Sequence, residues 1–137
     1  MRRKQGFTLL ELVIVIIIIG ILATLGIVQY TTILENGRKA EAKAVLGAMR
    51  EQAVIWFQEG GKATTYPASA DLGPGAGTLL GIPTVAPACT NTSYYFGYTM
   101  NSTTGTGTAA RCTGGGKAPQ GAATTLTLAV DGTTAGW

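Results

Sequence analysis

With 137 residues and a formal net charge of +3, the chain has room for one small domain beside a membrane-length segment. Charged residues make up only 12% and histidine is absent, which excludes Ser-His and Cys-His nucleophile pairs and any histidine-based metal site. The two cysteines, Cys89 and Cys112, allow a single pairing.

The N-terminal stub Met1–Gly6 carries Arg2, Arg3 and Lys4 and is followed by Phe7-Thr8-Leu9-Leu10-Glu11-Leu12. From Leu12 to Val28 the chain reads LVIVIIIIGILATLGIV, without a charge. Phe7 to Val28 makes a helix of about 33 Å, enough to cross the hydrocarbon of a bilayer. The basic stub places the N-terminus in the cytoplasm and everything after Val28 on the far side. A secretory signal peptide is opposed by an apolar run longer than a signal core, by the lack of a small-x-small cleavage site after it, and by the carboxylate at its start. An uncleaved single-pass anchor remains open, but it supplies no use for Glu11. A lone carboxylate at the edge of the bilayer core costs about 2.5–3.5 kcal/mol, so Glu11 calls for a partner or a function. Gly20 and Gly26 each cost about 1 kcal/mol relative to alanine within a helix, and each permits close helix contact.

Past Val28 the helix is predicted to continue to Glu59, because Gln29 to Glu59 contains no proline. Glu35 and Lys39 form an i,i+4 pair in the favourable order. Ala42, Val45, Leu46, Met49, Ala53, Trp56 and Phe57 fall on one side of the helical wheel, with Lys43, Arg50, Glu51 and Gln58 on the other. That apolar face needs a cover. Gly60-Gly61 stops the helix, and Thr8 to Glu59 would reach about 78 Å.

Residues 60–137 hold fifteen of the twenty glycines and few charges, which reads as a turn-rich head. Tyr66 to Pro87 is expected to be loop. Tyr94 to Met100 is expected to be a strand, with Tyr94, Phe96 and Tyr98 on one face as core. Ala109–Cys112 reads as a second strand, and Asn101 to Thr108 as the hairpin connection. Thr124 to Val130 alternates as a half-buried strand, ended by Asp131-Gly132. An antiparallel sheet of three or four strands would cover the Ala42–Phe57 face. The compartment assigned to the head is oxidising, so Cys89 and Cys112 are expected to form a disulfide.

The segment Gly6-Phe7-Thr8-Leu9-Leu10-Glu11-Leu12 resembles the class III signal of type IV pilins and of the related pseudopilins of type II secretion. The shared pattern is a basic leader, glycine, phenylalanine, a short spacer, glutamate and then an apolar helix. The resemblance covers roughly the first thirty residues. It implies an α+β, pilin-like fold: a long N-terminal helix, membrane-embedded in its first half, packed against a small antiparallel sheet head. The implied organisation is a leader over 1–6, a transmembrane and assembly helix over 7–28, its amphipathic continuation over 29–59, and a head over 60–137.

In that family a prepilin peptidase cuts after the glycine, here Gly6, and methylates the new N-terminus, here Phe7. Removing Arg2, Arg3 and Lys4 from ten cations leaves seven against seven acids. The new α-amino group of Phe7 and the carboxylate of Glu11 can then pair between staggered subunits, and methylation keeps the charge. The resemblance therefore implies a structural subunit of a type IV pilus-like filament, with Phe7 and Glu11 as assembly residues. Its implied partners are like or other pilins, the prepilin peptidase, inner-membrane assembly machinery and, before assembly, the bilayer. Its implied location is the bacterial inner membrane and then a periplasmic or surface filament, with heads on the outside. A pseudopilin of type II secretion is the alternative, and an uncleaved bitopic membrane protein whose head binds an extracellular ligand is a further one. Many pilins have a proline near position 28, where this chain has Val28.

Neither enzyme activity nor a cofactor is expected. Gly114-Gly115-Gly116-Lys117 lacks the spacing of a phosphate loop. Major pseudopilins bind calcium through several oxygen ligands in a C-terminal loop, which Asp131 alone does not reproduce, so no metal is expected. Lys62, Arg111 and Lys117 are scattered in the sequence and form no basic stripe, so no specific nucleic acid is expected.

Overall fold

The computed structural model describes residues 6–59, 65–73, 89 and 92–137. The expectations for the stub Met1–Gln5, for the helix stop at Gly60-Gly61 and for most of the loop up to Pro87 lie outside the described residues. The chain divides into two compact units, Met1–Asn36 and Gly37–Trp137.

Helix α1 runs Leu9–Glu59 and contributes to both units. Helical hydrogen bonding continues through Gly20, Gly26 and Val28 without a break. The hydroxyls in this segment are folded back onto the backbone: Thr24 Oγ1 donates to the Ile21 carbonyl at 2.8 Å, and Thr31 and Thr32 Oγ1 both donate to the Val28 carbonyl at 2.9 and 3.2 Å. Back-bonding of this kind lets a hydroxyl sit in an apolar helix without an unpaired donor.

In the unit Gly37–Trp137, a four-stranded antiparallel sheet has the order β1-β2-β3-β4, with β1 Phe96–Met100, β2 Gly107–Arg111, β3 Thr125–Leu128 and β4 Thr134–Ala135. Ala42, Leu46, Met49 and Ala53, spaced four, three and four apart on α1, are fully buried against Phe96, Tyr98, Met100, Ala109, Leu126 and Leu128. Phe96 and Tyr98 are core, as their period-2 spacing implies, while Tyr94 is half-buried and meets Tyr98 edge to face at 6.2 Å. Gly107 lets the sheet approach the helix, since a Cβ there would come within 3.1 Å of Leu46 Cδ2. A short helix, α2 Ser69–Leu72, interrupts the segment read as loop; Ala68 N donates to Asp71 Oδ2 at 2.8 Å, and Leu72 is buried.

Several boundaries differ from the sequence reading, for identifiable reasons. Tyr94 and Tyr95 stay outside β1: the Tyr94 carbonyl accepts from Lys117 N at 2.8 Å, in the loop after β2, and the Tyr95 carbonyl accepts from Cys112 N at 3.0 Å, one step past the last ladder pair. Strand β2 starts at Gly107, where the register pairs it with Met100. The link between them is an Asx turn: Asn101 Oδ1 accepts from Thr103 N at 2.9 Å and Thr104 N at 3.0 Å. Asp131-Gly132 turns the chain into β4 instead of simply ending β3, with Asp131 Oδ1 accepting from Thr133 N and Oγ1 at 2.8 and 2.7 Å. The hydrogen bond from the Thr133 backbone is the main reason the Asp131 carboxyl sits below its usual range.

Two cations assigned to the solvent side of α1 hold the C-terminal segment instead. Arg50 Nε donates to the Val130 carbonyl at 2.9 Å, and Lys43 Nζ lies 5.0 Å from the centre of the Trp137 ring. Trp137 Nε1 in turn donates to the Thr127 carbonyl at 2.8 Å.

Cys89 and Cys112 are disulfide-bonded across a sequence separation of 23. Closing a loop of that size stabilises a domain by about 3 kcal/mol on the chain-entropy model. Gly116 fits against the bond at φ +65, where a Cβ would come within 2.8 Å of Cys112 Sγ. Beside it Arg111, only 4% exposed, donates through Nη1 to the Tyr95 carbonyl and through Nη2 to the Pro119 carbonyl, both at 2.9 Å. Reduction of the disulfide is therefore expected to loosen residues 112–124, read as faster amide exchange and protease cleavage there. Membrane insertion should not change, as measured by carbonate-resistant membrane association.

Candidate functional site

Every side chain from Gly6 to Leu34 is exposed, an uncovered apolar surface about the length of a bilayer core. Among the described residues α1 is the helix long and apolar enough to cross a membrane, and none of its apolar window is buried. Gly20 and Gly26 have nothing within 4 Å of an added Cβ, so both positions are open to an approaching helix.

Glu11 stands in the first turn of α1, where the free N–H groups and the helix dipole favour a negative charge. Its carboxylate is not idle. Thr8 N and Thr8 Oγ1 donate to Glu11 Oε2 at 3.4 and 3.3 Å, and Glu11 N donates to Thr8 Oγ1 at 3.3 Å. This reciprocal pattern is a capping box, with Thr8 as N-cap and Glu11 at N3. The sequence reading of a plain anchor as having no use for Glu11 is thereby corrected, because a capping box gives the carboxylate a local role. The signal was present as Thr8-Leu9-Leu10-Glu11, the spacing of that motif. The contacts are long, and they fall on one oxygen of a fully exposed turn. Phe7, 83% exposed, directly precedes Thr8, so the backbone nitrogen that cleavage after Gly6 would free lies within one residue of this carboxylate's own cap.

The remaining sequence-predicted site residues fall in two groups. Gly6, Phe7 and Glu11 come together at the start of α1, while Cys89 and Cys112 bond to one another in the sheet unit. Among the described residues no three His, Cys, Asp or Glu side chains gather as metal ligands. The sequence reading missed Thr8 and the buried Arg111. It also missed the clustering of Arg111 and Lys117 with Arg38 around Tyr95, because those residues are far apart in the chain.

The site is an uncovered, membrane-length apolar helix opened by Gly-Phe and a single carboxylate, with a disulfide-closed antiparallel sheet packed on its later turns. Residues 1–27 match the family model for the prokaryotic N-terminal methylation motif. The chain is 33% identical over 86 residues to the type IV major pilin protein PilA of Myxococcus xanthus, covering 63% of this chain and 39% of that protein. It is likewise 33% identical over 86 residues to the type II secretion system core protein G of Dickeya chrysanthemi, covering 63% of this chain and 52% of that protein. A fimbrial protein of Pseudomonas aeruginosa is 36% identical over 84 residues, covering 58% of this chain and 54% of its own length. The matches thus span about half or less of these relatives. No solved structure matches the chain. The chain thus carries the N-terminal methylation motif over its first 27 residues and is similar to type IV pilins, fimbrial proteins and a type II secretion core protein.

Proposed function

We propose that this chain is a structural subunit of a type IV pilus-like filament, made as a membrane-anchored precursor and polymerised through Phe7–Val28. The observation that carries the reading is the arrangement at the mouth of α1: a glycine, an exposed phenylalanine, and one carboxylate held at the first turn of an uncovered apolar helix. The precursor spans the inner membrane with its N-terminus in the cytoplasm. A prepilin peptidase cuts after Gly6 and methylates the Phe7 amine. In the stack of helices, that amine pairs with Glu11 of a neighbour. Each pair relieves two desolvation penalties and fixes an axial register, since a buried ion left single costs several kcal/mol. The contact is head to tail and does not close, so it propagates as a fibre.

The chain works by assembling and not by catalysis, in keeping with relatives named as pilins and fimbrial proteins. A pseudopilin of type II secretion is the second reading, supported by the likeness to core protein G. Imaging the polymer with this subunit labelled separates the two by its site, on the cell surface or within the periplasm.

N-terminal mass spectrometry of the mature protein tests the reading directly. It is expected to start at N-methylated Phe7. An intact Met1 on the mature protein would make the chain an ordinary single-pass anchor.

A further inference from the structure

In the unit Gly37–Trp137, the Tyr98 hydroxyl and Glu41 Oε1 are buried polar atoms with no hydrogen-bond partner among the described residues. Tyr98 is fully buried on β1, opposite Ala109 in the ladder, and its ring meets Tyr94 edge to face at 6.2 Å. Sheet and core together fix its position. Glu41 stands on α1 one residue before Ala42, the first of the buried residues of that helix. Glu41 is half-buried, so solvent lies within reach of its side chain, yet Oε1 itself is buried. A hydrogen bond left unmade is costly at both ends, and more so for a carboxylate than for a neutral group.

The two groups act on one another. After burial, the Glu41 charge is the largest influence holding the Tyr98 phenol above its ordinary range. The phenol therefore offers an O–H donor at physiological pH, whereas a carboxylate only accepts. Donor and acceptor are complementary, but they stand too far apart or too poorly aligned for a direct hydrogen bond. One water closes such a gap, because two O–H···O contacts of about 2.8 Å in series reach about 5 Å. It accepts from Tyr98 and donates to Glu41 Oε1, and a buried water needs only two to four polar partners. A hard metal cation fits the pair poorly, since it takes about six or more oxygen ligands. Among the described residues no three His, Cys, Asp or Glu side chains gather to supply them.

We propose that Tyr98 and Glu41 bind one internal water, which joins β1 to α1 where the helix first meets the sheet. The apolar contacts beside it, those of Ala42, Leu46 and Met49 with the sheet, are non-directional and fix the rotation and slide of the helix only weakly. A Tyr98–water–Glu41 chain is directional and fixes both. The inference needs only the folded unit Gly37–Trp137, so it stands or falls apart from the filament reading.

Crystals of the full-length chain grown from detergent, at a resolution that shows ordered water, are expected to hold one water within about 2.6–3.2 Å of both Tyr98 Oη and Glu41 Oε1. Urea unfolding of the same chain in detergent micelles, followed by tryptophan fluorescence, gives a second readout. Tyr98→Phe and Glu41→Leu should each lower the folding equilibrium constant by about five- to tenfold, because each leaves the other group unpaired. The double variant removes both groups and should be no less stable than the weaker single variant. Additive losses in the double variant overturn the proposal. So does a direct Tyr98–Glu41 contact, a metal ion in place of the water, or a Glu41 carboxylate turned outward to Arg38.

Discussion

Filaments are expected to disappear when Glu11 is replaced by leucine, although the precursor inserts into the membrane at least as well as wild type. The two effects have opposite signs because Glu11 works against the first environment and for the second. In the bilayer its carboxylate costs about 2.5–3.5 kcal/mol, which leucine removes. In the stack, leucine leaves the Phe7 amine of a neighbour buried without a counter-charge, a loss of several kcal/mol per contact. About 3 kcal/mol is more than a hundredfold in an equilibrium constant, and every subunit pays it. The capping box with Thr8 offers a competing explanation, since leucine also removes the N3 acceptor. Glu11→Gln separates the two, because glutamine serves a capping box as glutamate does but carries no charge. Pairing predicts that Glu11→Gln filaments are lost as well, whereas capping predicts near wild-type yield. Sheared-filament immunoblots read the yield, and carbonate-resistant membrane protein reads insertion.

The signal for the Thr8–Glu11 capping box was local, although the sequence reading passed over Thr8. Gly6, Phe7, Thr8 and Glu11 lie within one and a half turns, so their chemistry is set by spacing alone. Helix α1 was legible for the same reason: an unbroken apolar run, then a 3.6-residue stripe whose Ala42, Leu46, Met49 and Ala53 are the buried residues observed. Strand β3 could be read because Thr125–Leu128 alternates, giving Leu126 and Leu128 to the core. Strand β2 was harder. Gly107 and Thr108 look like the low-complexity link before them, and only the pairing with Met100 and Thr99 makes them strand. Strand β4 is two exposed residues with no apolar pattern, and its one signal was the Asp131-Gly132 turn.

Long-range polar contacts were the least legible. Nothing local marks Arg111 as buried, since it is the loop 112–124 that returns Pro119 to its guanidinium. Lys43 and Arg50 were read as solvent-facing because wheel position shows only which side of the helix a residue occupies. Residues flanking the C-terminal strands reach that side too, and Trp137 and Val130 give the two cations an aromatic and a carbonyl partner. Tyr98 shows the converse. Its ring was rightly placed in the core, but its hydroxyl and Glu41 Oε1 are both buried with no hydrogen-bond partner among the described residues. Burial pushes the phenol well above its ordinary range, with Glu41 and Tyr94 adding to the shift, so it stays protonated across physiological pH.

Gly6→Ala is expected to stop processing, leaving a precursor that accumulates in the membrane and does not polymerise. The resemblance implies that the peptidase requires glycine before the cut. Nothing in the fold does, since Gly6 is exposed and has no atom within 4 Å of an added Cβ. A structural role therefore predicts a harmless substitution, and a recognition role predicts complete loss. The consequence for assembly follows from charge. An uncut chain keeps Arg2, Arg3 and Lys4 ahead of its apolar helix. Bringing each into an apolar stack costs about 2.5–3.5 kcal/mol on insertion scales. The uncut chain also presents a peptide bond at Phe7 in place of an amine, so a neighbour's Glu11 has no cation in register. Gel mobility and the N-terminal mass of Gly6→Ala protein, with filament counts on the same cells, give the readout. Normal cleavage of this variant would remove the leader assignment. An uncut variant that still filled filaments would show that the freed amine is not what holds the helices together.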